Sequence, residues 1–162
     1  LPKLIKSYSL DIECLYIAET IKKMQMKNIS LGNICIIGMS KSLRDKMTRI
    51  LDKENIKWEE TKTCSDHGNE KVKISTVESA KGLEFSVVFV FGLAVPEIQN
   101  QSNEDLSLAA SRLYVAMTRA CDELYLSYSI GNRYIPSILL SYIEDYCEQQ
   151  ELRKDVNGYK IV

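Results

Sequence analysis

Several residue types are scarce in this sequence: its 162 residues hold one histidine, one tryptophan and three prolines. The lone His67 lies beside Asp66 and Gly68 with no partner for acid–base work in view, and it reads as a loop residue. Neither charge is in excess. The 21 Lys and Arg stand against 22 Asp and Glu, a net charge of -1, which excludes a wholly basic, polyanion-binding protein. Any nucleic-acid contact must therefore come from a local patch or from partner domains. No apolar run approaches the roughly 18–20 residues that cross a bilayer, so no membrane span is expected. The five cysteines (Cys14, Cys35, Cys64, Cys121 and Cys147) are odd in number and too far apart for a metal knuckle. No metal site is expected from them, and reduced thiols suit the cytoplasm. The seven glycines are too sparse for a Gly-x-x-x-x-Gly-Lys-Ser/Thr loop, and the one glycine next to a preceding lysine, Gly82, has the order reversed. A phosphate-cradling loop of that kind is thus absent. Repeats, low-complexity runs and heptads are missing too. The sequence opens at Leu1-Pro2-Lys3 without an initiator Met, which suggests a piece of a longer protein.

What is present is ordinary globular material, 45% hydrophobic and 27% charged, enough for a single domain over residues 1–162 with its core at about 9–149. Residues 1–9 read as an extended lead-in. Ser9 or Asp11 can cap a helix in which Cys14, Ile17, Ile21 and Met24 share one face. Residues 34–38 form a short buried strand. Ser42-Leu43-Arg44-Asp45 has the form of a capping box, and Leu43, Met47, Ile50 and Leu51 mark the helix behind it. Lys41, Arg44, Lys46 and Arg49 near that helix start invite a phosphate-binding reading, but a solvated helix face is the better one without a glycine-rich loop. Trp58 opens a short strand and residues 61–69 a surface loop.

Residues 72–93 organise the chain. Val72, Ile74 and Val77 lead in, and residues 85–91 are apolar and rich in Val and Phe, as in a strand buried on both faces. The polar insert between them, residues 76–84, is expected at the carboxyl end of the first strand, where open parallel sheets bind ligands. After a loop over residues 94–103, Leu106, Ala110, Leu113 and Met117 mark a helix face, with Thr118 and Arg119 at its end. Residues 123–128 alternate as a strand, residues 134–148 read as a last helix with Pro136 near its start, and Asn157-Gly158 suggests a terminal hairpin. Alternating strands and helices imply an α/β domain with a mostly parallel sheet covered on both faces.

The insert Thr76, Ser79, Ala80, Lys81, Gly82, Leu83, Glu84 and Phe85 resembles motif V of UvrD/Rep-like superfamily 1 DNA helicases, with Glu78 where that family usually has His. Leu-Tyr-Val-Ala-Met-Thr-Arg-Ala at residues 113–120 resembles motif VI. The resemblance implies a RecA-like fold, related to P-loop NTPases but lacking its own P-loop: the second, C-terminal motor domain. It implies that Arg119 is catalytic, reaching the γ-phosphate of ATP across a domain cleft, and that Lys81, Gly82 and Glu84 also face ATP. Thr76 and Glu78 fall where the family contacts the single-stranded DNA backbone, although a carboxylate repels phosphate. ATP and Mg²⁺ would be held mainly by a first RecA-like domain. The implied partners are that domain and single-stranded DNA; the isolated chain is expected to be an inactive monomer. Taken singly, each motif residue has an ordinary structural role open to it: an arginine capping its helix, a surface glutamate, a turn at Lys81-Gly82. With no anion present, Arg119 is expected to be mobile or paired with Glu84. Two other readings stay open, a non-catalytic RecA-like protein- or nucleic-acid-interaction module and a flavodoxin-like phosphate binder. The missing glycine-rich first loop weighs against the second of these.

Overall fold

The computed structural model describes residues 1–61, 70–97 and 101–162; the expectations placed on Cys64, His67 and most of the 61–69 loop lie outside them. The strands are β1 (Lys3–Ser7), β2 (Ile34–Gly38), β3 (Trp58–Glu60), β4 (Val72–Ser75), β5 (Phe85–Phe91), β6 (Ala94–Pro96), β7 (Ala120–Ser129), β8 (Tyr134–Pro136), β9 (Glu148–Asp155) and β10 (Gly158–Ile161). The helices are α1 (Leu10–Met26), α2 (Lys41–Lys53), α3 (Val77–Ala80) and α4 (Asn103–Met117). Eight strands form one sheet in the order β10-β9-β1-β7-β5-β2-β4-β3, parallel throughout except for the β9–β10 hairpin.

The apolar runs dictate the middle of this sheet. All five residues of β2 are buried, as are all of β5 but Ser86, because both sheet faces are covered. On one face Ile36, Ile74, Phe89 and Ile5 meet Cys14, Ile17 and Ile21 of α1 and Met47 and Leu51 of α2. On the other face Ile37, Val88, Leu126 and Leu4 meet Val77 and Ala80 of α3 and Leu113 and Ala116 of α4. Each such aliphatic or aromatic side chain contributes about 1.5–3 kcal/mol on burial. Ser9 caps α1 as the sequence suggests, its hydroxyl accepting from the Ile12 N–H at 3.3 Å.

Five expectations change. The lead-in is a strand: β1 lies between β7 and β9, so Leu4, Ile5 and, at the other end, Leu152 extend the buried core beyond 9–149. The cap of α2 is Ser40, which accepts from the Leu43 N–H at 3.3 Å; Ser42 already lies inside the first turn. Residues 94–96 are no loop but β6, paired antiparallel with β8. Residues 134–148 are no helix: β8 is followed by two 3-10 turns, Ile138–Tyr142 and Glu144–Tyr146, and β9 begins at Glu148. Pairing with β1 outweighs the helical pattern there. Finally, α4 buries Leu113 and Ala116 while Ala110 is exposed and Met117 only partly covered. The helix is turned slightly from the expected face because α3 packs against it.

Candidate functional site

Residues 76–84 do not stay at one edge of the sheet. They leave the carboxyl end of β4, pass through α3, and arrive at the amino end of β5, because β5 runs parallel to β4 and starts at the opposite edge. Thr76 and Glu78 are therefore at the start of this crossing and Glu84 at its end. The carboxyl-edge expectation holds for Thr76 and fails for Glu84.

At that amino end the two motifs meet. The start of α4 is fixed by a reciprocal cap, in which Ser102 and Asp105 side chains each accept from the other's backbone N–H at 3.1 Å. Its far end delivers Arg119, whose carbonyl accepts from the Phe85 N–H at 2.9 Å. Phe85 pairs with Ala120, and one extra residue on β7 before Glu123 makes a bulge there, a device common beside functional sites. The Arg119 side chain folds back. Its Nε donates to the Val115 carbonyl, one Nη to the Leu83 carbonyl and the other to the Thr118 hydroxyl, each at 3.2 Å. All three acceptors are uncharged. The expected pairing with Glu84 is not what the structure shows; the helix-end carbonyl and the Leu83 carbonyl hold Arg119 instead. Glu84 is exposed, with the Cys121 thiol 3.9 Å from its carboxylate.

Lys81 and Gly82 form the centre of a tight turn closed by the Leu83 N–H on the Ala80 carbonyl at 3.0 Å. Lys81 has φ -57° and ψ 132° and Gly82 φ 78°, the geometry of a type II turn. A Cβ on Gly82 would meet nothing within 4 Å. Positive φ, not crowding, calls for glycine, and the space over the turn is open to an incoming group.

Thr76 caps α3: its hydroxyl accepts from the Ser79 N–H at 3.0 Å and donates to the Ser79 hydroxyl at 3.0 Å. Glu78 accepts from Nε of Arg112 on α4 at 3.1 Å. The hydrogen bond from its own backbone N–H holds the Glu78 carboxyl below the usual carboxylate range; burial opposes this, and the Arg112 contact and the Lys81 charge assist it. Val77, Glu78, Lys81, Leu108 and Arg112 line a depression of about 400 Å³ between α3 and α4. Arg112 was not among the residues singled out from the sequence. The available signal was its position on the helix that leads into Arg119, about two helical turns earlier.

The carboxyl edge is arranged differently. Glu13 of α1 is fully buried and accepts from the Gly92 N–H at 2.7 Å, the Ser127 hydroxyl at 2.6 Å and the Ser129 hydroxyl. Burial pushes its carboxyl above the ordinary 4.5, and the three donors offset part of that. Beside it a cavity of about 750 Å³ is walled by Tyr8, Met39, Ser40, Lys46 and Tyr134. The basic residues of α2 are engaged locally: Lys46 with Asp11 at 2.7 Å, Lys41 with Asp45 at 3.6 Å, Arg44 with the Gly38 carbonyl at 2.8 Å and Arg49 with the Asp45 carbonyl at 3.3 Å. The expectation here is a solvated helix face; Lys41 is exposed, whereas Lys46 is partly covered and turned to Asp11 of α1.

Among the described residues there is no cluster of three or more His, Cys, Asp or Glu side chains placed to hold a metal, and no helix is long and apolar enough to cross a membrane. Cys14, Cys35, Cys121 and Cys147 are free thiols. Burial pushes Cys14 up to about 12, so it is inert at neutral pH.

Comparison with known proteins places this geometry. Residues 38–131 match the model of the UvrD-like helicase C-terminal domain. The chain is 31% identical over 141 residues to the RecBCD enzyme subunit RecB of Chlamydia trachomatis serovar D, covering 85% of this chain and 11% of that protein. It is 45% identical over 67 residues to a probable DNA helicase II homolog of Mycoplasma capricolum, covering 39% and 9%. It is also 39% identical over 61 residues to the ATP-dependent DNA helicase Rep of Buchnera aphidicola subsp. Schizaphis graminum, covering 36% and 9%. The chain thus spans about a tenth of the length of each of these relatives. The solved C-terminal domain of a possible DNA helicase from Lactobacillus has the same fold, with a TM-score of 0.69 at 19% identity over 92% of this chain and 84% of that one. With residues 38–131, more than half of its length, matching that family model, the chain belongs to the family of UvrD-like helicase C-terminal domains.

Proposed function

We propose that residues 1–162 act as one unit of a longer chain, the second RecA-like motor domain of an ATP-dependent superfamily 1 DNA helicase. The observation that carries this reading is the junction of Phe85 and Arg119. One backbone hydrogen bond and the Arg119–Leu83 contact bring Lys81-Gly82, Glu84 and Arg119 to one end of the sheet. The residues fit a nucleotide held from another side. Arg119 rests on neutral acceptors, which a phosphate outcompetes because it brings a full opposite charge and can accept two parallel N–H bonds from the guanidinium. Its forked guanidinium suits the charge that spreads over the phosphoryl oxygens. Glu84 is exposed and able to accept from a ribose hydroxyl. The open space over Gly82 lets the backbone approach closely, and the exposed Lys81 is a cation available to phosphate or the first domain. Most of the contacts to ATP and Mg²⁺ would belong to that first domain, and Mg²⁺ would supply neutralisation of phosphate charge there. Thr76 and Glu78 border the single-stranded DNA path. The isolated chain is a monomer without ATP hydrolysis, and the setting is the cytoplasm.

The non-catalytic alternative draws on one observation, the acidic Glu78 at the DNA-facing start of the crossing, and the same experiment separates the two. In the full-length protein, Arg119→Ala abolishes DNA-stimulated ATP hydrolysis, by about 10³ to 10⁵ if it behaves as other arginine fingers do. Single-strand binding and melting temperature stay near wild type, and Arg119→Lys rescues little. A fall of less than about tenfold, roughly 1.4 kcal/mol, at unchanged melting temperature sinks the assignment.

A further inference from the structure

We propose that Arg112 is a phosphate-binding residue for single-stranded DNA and that Glu78 holds it when DNA is absent, competing with the nucleic acid for one guanidinium. This rests on the reading above, in which the start of the 76–84 crossing borders the DNA path.

The geometry of the pair carries the inference. Arg112 meets Glu78 through a single recorded contact, Nε to one carboxylate oxygen at 3.1 Å, and not through the two-pronged fork a guanidinium can present. The side chains are 34% and 59% exposed, and an ion pair so open to water holds weakly. A phosphate offers the same acceptor chemistry with more oxygens, and DNA adds the release of its counterions. The exchange is therefore available. A second cation, Lys81, lines the same depression. Once Glu78 is displaced, two positive side chains, Arg112 from α4 and Lys81 from the turn after α3, line this depression. Leu108 is 64% exposed beside them and gives an apolar surface for a sugar or base edge. Arg112 is also well fixed for such a task, because its neighbour Leu113 is buried against α3 and sets the rotation of α4. A glutamate in this place is then no bare repulsion of phosphate. It is a stand-in for phosphate that keeps Arg112 positioned and makes DNA binding a replacement.

A double-mutant cycle tests this on the 162-residue chain, with fluorescence anisotropy of a labelled oligo-dT across a salt series. Arg112→Ala weakens binding and flattens the dependence of log K on log salt by about 0.7, the slope of one phosphate contact on a single strand. Glu78→Gln, which keeps the shape and removes the charge, tightens binding several-fold. In the Arg112→Ala background the Glu78→Gln gain disappears. Circular dichroism melts confirm that each variant is folded, and Arg112→Lys, which keeps the charge, retains the salt slope. An equal Glu78→Gln gain in both backgrounds overturns the proposal, since Glu78 then acts by general repulsion. An unchanged slope in Arg112→Ala, with wild-type affinity, also overturns it and leaves the helicase reading standing. No binding by wild type or any variant, even at low salt, removes the DNA-facing reading of this surface together with the proposal. The Arg119 experiment stays independent of all three outcomes.

Discussion

The two ends of the parallel sheet use their polar groups in opposite ways. At the carboxyl end Glu13 is sealed inside the protein with three donors, one from Gly92 just past β5 and two from β7, converging on its carboxylate. At the amino end of the same two strands Arg119 leans on neutral carbonyls and a hydroxyl, and Glu84 faces outward. Among the described residues no buried side-chain nitrogen or oxygen lacks a partner, so neither end is defective. The difference is in what a newcomer could displace. A buried, fully bonded carboxylate has nothing to gain from a ligand, and it fixes where the strands end. A charged group on uncharged acceptors gains a great deal from an anion. One end holds the frame still, and the other keeps a charge in reserve.

Stability measurements break or sharpen that contrast most directly. Glu13→Ala leaves the Gly92 N–H and two hydroxyls without their acceptor, and is expected to cost on the order of 2–4 kcal/mol in urea unfolding. Arg119→Ala removes exposed contacts and is expected to cost less than about 1 kcal/mol. Equal losses from the two would erase the distinction. The glycines give a second contrast. Gly92 and Gly82 share a left-handed backbone, with φ of 71° and 78°. A Cβ at Gly92 would lie 2.6 Å from a Leu43 methyl, whereas one at Gly82 meets open space. Gly82→Ala should then cost about 1–2 kcal/mol from backbone conformation alone, and Gly92→Ala about 1–3 kcal/mol more for overpacking. Matching values would show that the carboxyl edge yields more readily than its packing implies.

The smallest effect is in pH. Burial raises the Glu13 carboxyl above 4.5, so the folded state binds this proton more tightly than the unfolded chain. The stability it contributes is fully present below 4.5 and is lost as pH rises through the raised value. Glu13→Gln cannot titrate, so the wild-type stability relative to it should fall over that window. Urea titrations of both proteins at stepped pH check the sign; a pH-independent difference contradicts it.

Much of this frame could be read in advance, for reasons that differ by element. The strands β2 and β5 announced themselves through short apolar runs, and α1 through Ser9 and its 14-17-21-24 face. By contrast β1 and β9 hide. Lys3–Ser7 carries two lysines, Glu148–Asp155 is almost all polar with Leu152 alone fully buried, and each is a strand because the other lies beside it. No local pattern encodes such a pairing. At the site, the residue types over 76–85 and 113–120 were legible in order. Their separation onto two edges was not, since it depends on β4 and β5 running parallel. The Arg112–Glu78 contact was hidden for the same reason: only the packing of α3 on α4 brings positions 78 and 112 together.

The place of β1 has a consequence for how the domain is made. Lys3 stands opposite Tyr125 on one side and Glu148 on the other. Among the strands described here β1 leaves the ribosome first, yet both of its neighbours emerge near the end of the same stretch of chain. Until then two rows of backbone N–H and C=O groups on β1 face water, and Leu4 and Ile5 have no completed core to enter. The β2–β4–β5 centre can assemble earlier, because those strands are close in sequence and close smaller loops. The earliest strand of this sheet is thus fastened among the last, and the nascent domain carries an open, partly apolar edge for most of its translation.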